Sequence, residues 1–465
     1  MAVPAHEMDA VLAQLRTKAL ADHRARVPLD KLDAEHRAVL VRAVNNVLST
    51  ELAVFTYAQI IDGLPTGDVA YDSRWVDLTE GHPLDTEHEE LCPGAIEKAR
   101  GVCPKWDPDM LKFNPNVLNA FQQAAPGTKV FTTRLIELVA ASLHQFGALL
   151  FQLDLCLHKG GNEAIETIKK YKEPKPSWRT DIRDEDWNPA PCQWPFFHHP
   201  YYMDRDIYPE GNADIVGYWA EDRILGGVVV FDRQAEESKG PDSTYSRPEP
   251  PNVYFHPNRL KVTHRIAQLR DEQQQALIEF LLLEDTSKAA SSSPLPILVD
   301  DKNTKRFNWE DSIMSHHIYR DIWERRPLNE EEMRRQKSRP RDQVDYPESL
   351  ALLLAVNKAA GNPLPEGPLK RRLEAEEGER EEAAKKAKLK ETRVQEDAEE
   401  GTGLDKAIVS ETESPVGERT EDVEDKPTEV SENTKEDDAH GVERDEKGGA
   451  ESGRDESTES EQGAI

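Results

Sequence analysis

The stretch FFHHPYYMDRDIYPEGNAD, residues 196–214, places two adjacent histidines within reach of three aspartates. Imidazoles and carboxylates together are the donor set of metal-assisted hydrolysis or oxygenation. The spacing argues against that chemistry. His198 and His199 are neighbours, so in an extended segment their side chains diverge and cannot easily share one ion. Asp204, Asp206 and Asp214, or the distant His256 and His317, could complete a ligand set, but no HExxH, HxH or facial-triad pattern supports it. The stretch is expected to be an aromatic loop whose histidines and aspartates pair with one another or with Arg205. His198, His199 and Asp204 are its metal candidates, and no catalytic residue, cofactor or metal is assigned.

Other motifs carry less. His317, Arg320 and Glu324 follow helical spacing and are expected to make surface pairs. Gly226–Gly227 precedes a strand-like run rather than a helix, so it is not a phosphate loop; a bulge or close packing against Trp219 is expected. The glycines of HKGGNEAIETIKK mark an ordinary helix boundary. No Walker, GxSxG or kinase pattern is present. Cys92, Cys103, Cys156 and Cys192 form no CxxC pair and no zinc-ribbon spacing, which suits free thiols in a reducing compartment.

The elements that must position these residues can be read from periodicity. Val41, Val44, Leu48, Leu52 and Phe55 predict one amphipathic helix over residues 33–62, stopped by Gly63 and Pro65. A core helix is predicted from Thr133 to His158; its polar residues are too frequent for a membrane span. Alternation in DIVGYWAEDRILGGVVVFDR predicts two strands joined near Glu221–Asp222. NVYFH, flanked by prolines, is expected as an edge strand, KVTHRIAQL as a further strand, and LPILVDD as another. A helix should start with Asp271 as N-cap and Gln274 completing a capping box, and another should run over 309–326 to Pro327. PESLALLLAVNKAAG is an apolar helix expected to fold back onto the core.

Composition divides the chain. All eight tryptophans and all twelve phenylalanines precede residue 324. From Glu391 onward there are 26 acidic and 8 basic residues, a net of −18 out of −30 for the whole. Such a segment cannot bury enough apolar surface to order itself. Before it, Lys370–Arg371–Arg372 and Lys385, Lys386, Lys388 and Lys390 form two basic clusters twelve residues apart. That spacing resembles a bipartite nuclear localisation signal, whose partner is a nuclear import receptor. Direct DNA binding is disfavoured, because the preceding 390 residues carry 51 basic against 63 acidic groups. The acidic tail suits basic nuclear proteins instead, and no membrane contact is expected.

GNADIVGYWAEDRILGGVVVFDR, NVYFHPNR, TTRLIELVAASLHQFGALLFQLDLCLHKG and FNWEDSIMSHHIYRDIWERRP, within roughly residues 130–330, resemble an uncharacterised protein family of filamentous ascomycete fungi. The likeness extends in type to the hypoxia-responsive morphology factor of a mould. The resemblance implies a nuclear regulator affecting colony form or low-oxygen growth, and brings no reaction or site residue with it.

The expected fold class is α+β: a helical N-terminal layer on a small, mostly antiparallel sheet, followed by a disordered acidic tail. The expected organisation is a folded domain over 1–345 (helical 1–175, strand-rich 200–305, helix 309–326). An apolar helix (346–365), a basic import segment (366–392) and the acidic tail (393–465) follow. A non-enzymatic nuclear regulator is the expected function. A metal-assisted hydrolase or oxygenase using the 196–214 loop and a cytosolic structural protein are the alternatives. The nucleus, with the cytoplasm as a second location, is the expected site of action.

Overall fold

Local capping sets the boundaries of the helical layer. After α1 (Ala5–Ala25), α2 (Ala34–Leu48) begins where the Asp33 carboxylate accepts the His36 amide at 2.9 Å, and α3 (Glu51–Asp62) where the Thr50 hydroxyl accepts that of Ala53 at 3.2 Å. The single helix expected over 33–62 is therefore two, bent by 76°. The hydroxyls of Ser49 and Thr50 turn back onto the carbonyls of Asn46 and Val47, which ends one helix and frees Thr50 to cap the next. α4 (Ala95–Val102) and α5 (Pro115–Gln123) follow, and a two-stranded sheet pairs β1 (Val27–Pro28) with β2 (Lys112–Phe113). The core helix α6 spans Lys129–Gln152, starting a turn earlier than its apolar pattern suggested because Thr128 caps it. By length and composition α6 could cross a membrane; 72% of its apolar window is buried inside the protein. It stops short of His158, and α7 (Gly161–Lys169) follows.

The computed structural model describes residues 4–72, 82–86, 88–172, 175, 181–188, 194–233, 252–285, 289–330, 345, 348–361, 378 and 385. The chain divides into Met1–Glu381 and Glu382–Ile465, and every element named here belongs to the first unit. The acidic tail over 393–465 lies outside the described residues. So do Lys370, Arg371, Arg372, Lys386, Lys388 and Lys390, whereas Lys385 is described and exposed.

The main correction concerns residues 214–232. The first predicted strand is a helix, α8 (Asn212–Leu225), and only VVVFD forms a strand, β3 (Val228–Asp232). Every residue of α8 from Ala213 to Leu225 is buried, so no polar face exists to reveal a helical period. Gly226, at φ 107°, closes α8 in the left-handed region, and the Leu225 carbonyl accepts the Ile297 amide at 2.8 Å. A Cβ on Gly226 would fall 2.2 Å from the Ile297 carbonyl oxygen, so its close neighbour is that backbone rather than Trp219. LPILVDD, expected as a strand, is irregular backbone instead.

β3 joins β4 (Val253–His256), β5 (Ile266–Gln268), β6 (Arg306–Phe307) and β7 (Ile318–Tyr319) in an antiparallel sheet of order β6-β5-β4-β3-β7. The fold class is α+β. β4 is interior, not an edge: it pairs with β3 from Val228↔His256 to Phe231↔Val253 and with β5 at Tyr254↔Gln268 and Phe255↔Ala267. The sheet is buried on both faces. Val229, Phe231, Val253 and Phe255 join the core shared with α2, α3 and α6, while Val228, Val230 and Tyr254 face a second core with Tyr202, Tyr218, Trp309 and Trp323.

α9 (Asp271–Leu281) starts one residue earlier in its capping pattern than expected: Arg270 is the N-cap and Gln273 the box residue. The helix expected over 309–326 is also corrected. α10 covers only Trp309–Ser315, His317 takes φ 54°, β7 pairs with β3, and Ile322–Glu324 form a 3-10 turn. Arg233 donates its amide to the His317 carbonyl at 2.8 Å, so sheet pairing overrides helical spacing here. α11 (Glu348–Ala359) is tied at its start through Glu348 and Arg306 at 2.6 Å, but Leu352 and Val356 are exposed rather than packed on the core.

Candidate functional site

The histidines of the 196–214 loop face backbone carbonyls rather than the loop's aspartates. His198 places Nδ1 3.0 Å from the Pro195 carbonyl. His199 places Nε2 3.1 Å from the His256 carbonyl, and its Nδ1 accepts the Tyr201 amide at 3.4 Å. With both ring nitrogens so used, His199 is the neutral Nε2–H tautomer. Burial pushes it down to about 3, and burial likewise lowers His198. His199 packs against Tyr202 and His256, with ring centroids 5.0 and 4.9 Å away. Asp204 accepts from Arg326 at 3.1 Å rather than from Arg205, and Asp206 is exposed. The loop thus leads into α8, not into a strand, and fixes Phe197 against Trp219 at 4.8 Å.

Asp214, at the start of α8, takes part in a different array. His144 on α6 lies with Nε2 3.1 Å from Asp214 Oδ1, and the Glu210 amide donates to Oδ2 at 2.7 Å. Behind the ring, Arg320 approaches His144 Nδ1 at 3.5 Å and donates to Glu221 Oε2 at 2.6 Å. Asp321 then joins Arg320 (3.0 Å) to Arg26 (2.7 Å). Glu324 accepts the Arg320 amide at 2.8 Å and the Tyr218 hydroxyl at 2.7 Å. Arg320 and Glu324, expected at the surface, are therefore buried; Arg320 follows directly on β7, and Glu324 ends the Ile322–Glu324 turn.

The carboxylates of this array differ. Burial, reinforced by the Asp321 charge, raises Glu324 to about 7. Burial also raises Glu221, although Arg320 opposes it. At Asp321 burial works upward, but Arg26 and Arg320 outweigh it and hold the group below its ordinary value. The same balance holds at Glu137 on α6, kept low by Arg233 and Arg134.

A cleft of about 170 Å³ opens beside the array, with His23, Arg26, Lys112, Gln145 and Asp214 among its walls. A carboxylate–imidazole pair at a cleft wall could move a proton, provided that one oxygen faced the ligand. Both Asp214 oxygens are already engaged by His144 and Glu210. The array is best described as a clamp joining α6, α8 and the 320–324 turn.

Sequence reasoning overlooked the partners of this clamp, since Arg26, His144, Glu221 and Arg320 are far apart in the chain and carry no shared motif. It also overlooked Asp62, His88, Cys92 and His158, whose donor atoms all lie within 4.8 Å of one another. The visible trace of that group was the His88-x-x-x-Cys92 spacing. No family model, curated protein or solved structure matches the chain.

Proposed function

We propose that the protein is a non-enzymatic nuclear interaction protein of a filamentous fungus, acting on gene expression through protein partners and affecting colony morphology or low-oxygen growth. The observation that carries this reading is the pair of basic clusters, Lys370–Arg371–Arg372 and Lys385, Lys386, Lys388 and Lys390, C-terminal to α11. Two such clusters separated by twelve residues fit the two acidic pockets of an import receptor. Lys385 is exposed, as receptor binding requires. The acidic residues that follow would draw basic nuclear proteins and repel DNA phosphates.

A hydrolase or oxygenase built on the 196–214 loop has less support. His199 uses both ring nitrogens and His198 its Nδ1 on backbone groups, and Asp204 is held by Arg326. The test of the nuclear reading is a full-length fluorescent fusion in which the seven basic residues are replaced by alanine. Nuclear signal in the parent fusion and its loss in the variant are expected. An unchanged distribution, or a parent fusion confined to the cytoplasm, overturns the import reading and favours a cytosolic structural protein.

A further inference from the structure

Asp62, His88, Cys92 and His158 bring one carboxylate, two imidazoles and one thiol to a single point. Asp62 is the last residue of α3, and His158 precedes α7. Backbone bonds hold these two segments together: the amides of Leu157 and His158 donate to the carbonyls of Ile61 and Asp62 at 3.1 and 2.9 Å. They satisfy carbonyls that a helix end otherwise leaves open. The third segment is pinned by the Gly67 amide on the His88 carbonyl and the Cys92 amide on Asp62 Oδ2, at 2.9 and 2.8 Å. The donors thus converge from a frame fixed by main-chain hydrogen bonds.

All four donors lie within 4.8 Å of one another, and the two closest pairs have the spacing of tetrahedral ligands. With metal–ligand bonds of about 2.0–2.3 Å, tetrahedral donors lie about 3.3–3.8 Å apart. Cys92 Sγ is 3.5 Å from His158 Nδ1, and His88 Nε2 is 3.6 Å from Asp62 Oδ2. Asp62 is fully buried; its Oδ2 accepts the Cys92 amide, and its other oxygen, Oδ1, has no hydrogen-bond partner and is the atom open to a cation. A buried carboxylate oxygen left unsatisfied is costly, and a cation is a natural occupant for it. The Lys159 amide points at Cys92 Sγ at 3.3 Å, a contact that favours a thiolate. His88 Nε2 also lies 3.2 Å from the Leu64 carbonyl, a contact that metal binding would exchange for the stronger bond.

We propose that these four residues bind one zinc ion in a closed, structural site that ties the end of α3, the 88–92 segment and the turn before α7. One thiolate and one carboxylate bring two negative charges, so a divalent ion leaves the half-buried site neutral. Mixed sulfur and imidazole donors select zinc over magnesium or calcium, which prefer oxygen. Four protein donors leave no open position for a substrate, so the site holds structure rather than activating water. A cysteine–histidine nucleophile would use the same Cys92–His158 pair, but it needs one orienting group. Here Asp62 and His88 both converge on the pair.

The test uses the full-length chain. Metal analysis of the purified protein should find one zinc per chain. Cobalt(II) added after zinc removal should give the intense visible bands of a tetrahedral site with a thiolate-to-metal charge-transfer band. Cys92→Ser should abolish that charge-transfer band, and His158→Ala should weaken cobalt binding by more than about 10-fold, the loss that even outer-shell changes produce. Cys156→Ser, at the neighbouring thiol, should leave the spectrum intact. A wild-type chain that binds no zinc or cobalt, or gives an octahedral cobalt spectrum, overturns the proposal without relying on any variant's folding. Retention of the full spectrum in Cys92→Ser also overturns it, as does loss of the charge-transfer band only in Cys156→Ser.

Discussion

Gly217 on α8 crosses α6 so closely that a Cβ at this position would lie 2.7 Å from the His144 carbonyl oxygen. The same helices meet again where the Cβ that Gly147 lacks would stand 3.0 Å from the Ala220 Cβ. Backbone cannot yield as a side-chain tip can, so a side chain at Gly217 would push the helices apart, while one at Gly147 would crowd Ala220. Gly217→Ala should therefore destabilise the fold by about 1–3 kcal/mol, despite alanine's better helix propensity. Urea unfolding followed by tryptophan fluorescence measures this. A variant as stable as the parent would show that the helices need not approach so closely.

Glu324 introduces a pH dependence of unusual sign for a carboxylate. Burial and the Asp321 charge raise it to about 7 in the folded protein, from a value near 4.5 when exposed. Between those values the folded state holds a proton that the unfolded state releases. Stability from this group is thus complete below about 4.5 and falls as pH rises towards 7, by up to ~1.4 kcal/mol per pH unit. Glu324→Gln keeps an acceptor for the Arg320 amide and cannot ionise. Its stability relative to the parent should rise between pH 5 and 7 and level off above about 7. Parallel curves for the two proteins across that window would refute the assignment.

How much of this was legible depended on whether an element had a solvent face. The apolar stripe over 33–62 predicted helix but not the break between α2 and α3, and the dense apolar surface predicted α6. β4 was recognised from NVYFH, though not its interior position, because the partners β3 and β5 lie outside its own residues. The first of the two strands expected in DIVGYWAEDRILGGVVVFDR is α8, because Ala213 to Leu225 are buried on every side and show no helical period, whereas the second is β3. Beyond Ser315 the chain follows sheet pairing, which helical spacing at His317, Arg320 and Glu324 could not reveal. The loop histidines, expected to pair with the loop's aspartates or with Arg205, face the Pro195 and His256 carbonyls instead, partners that lie outside any local spacing. Asp62 and His158 stand 96 positions apart, and only the backbone pairing of their segments brings them together.

The loop supplies a counterweight to Glu324. His199 is 1% exposed and neutral, with Nε2–H donating to the His256 carbonyl and Nδ1 accepting the Tyr201 amide. Burial lowers its folded value to about 3, whereas an exposed histidine titrates near 6.5. As pH falls through 6.5 the unfolded chain gains a proton that the folded chain refuses, so stability is lost on acidification, by up to ~1.4 kcal/mol per unit for this residue. His256, also lowered by burial, adds a loss of the same sign. His199→Gln can donate to the same carbonyl without titrating. It should be less stable than the parent at pH 7, through imperfect packing against Tyr202, while losing less stability between pH 6 and 4. Chemical denaturation at successive pH values compares the slopes. An acid limb as steep in the variant as in the parent would mean that His199 is protonated in the folded state, and its assignment as a neutral packing residue would fail.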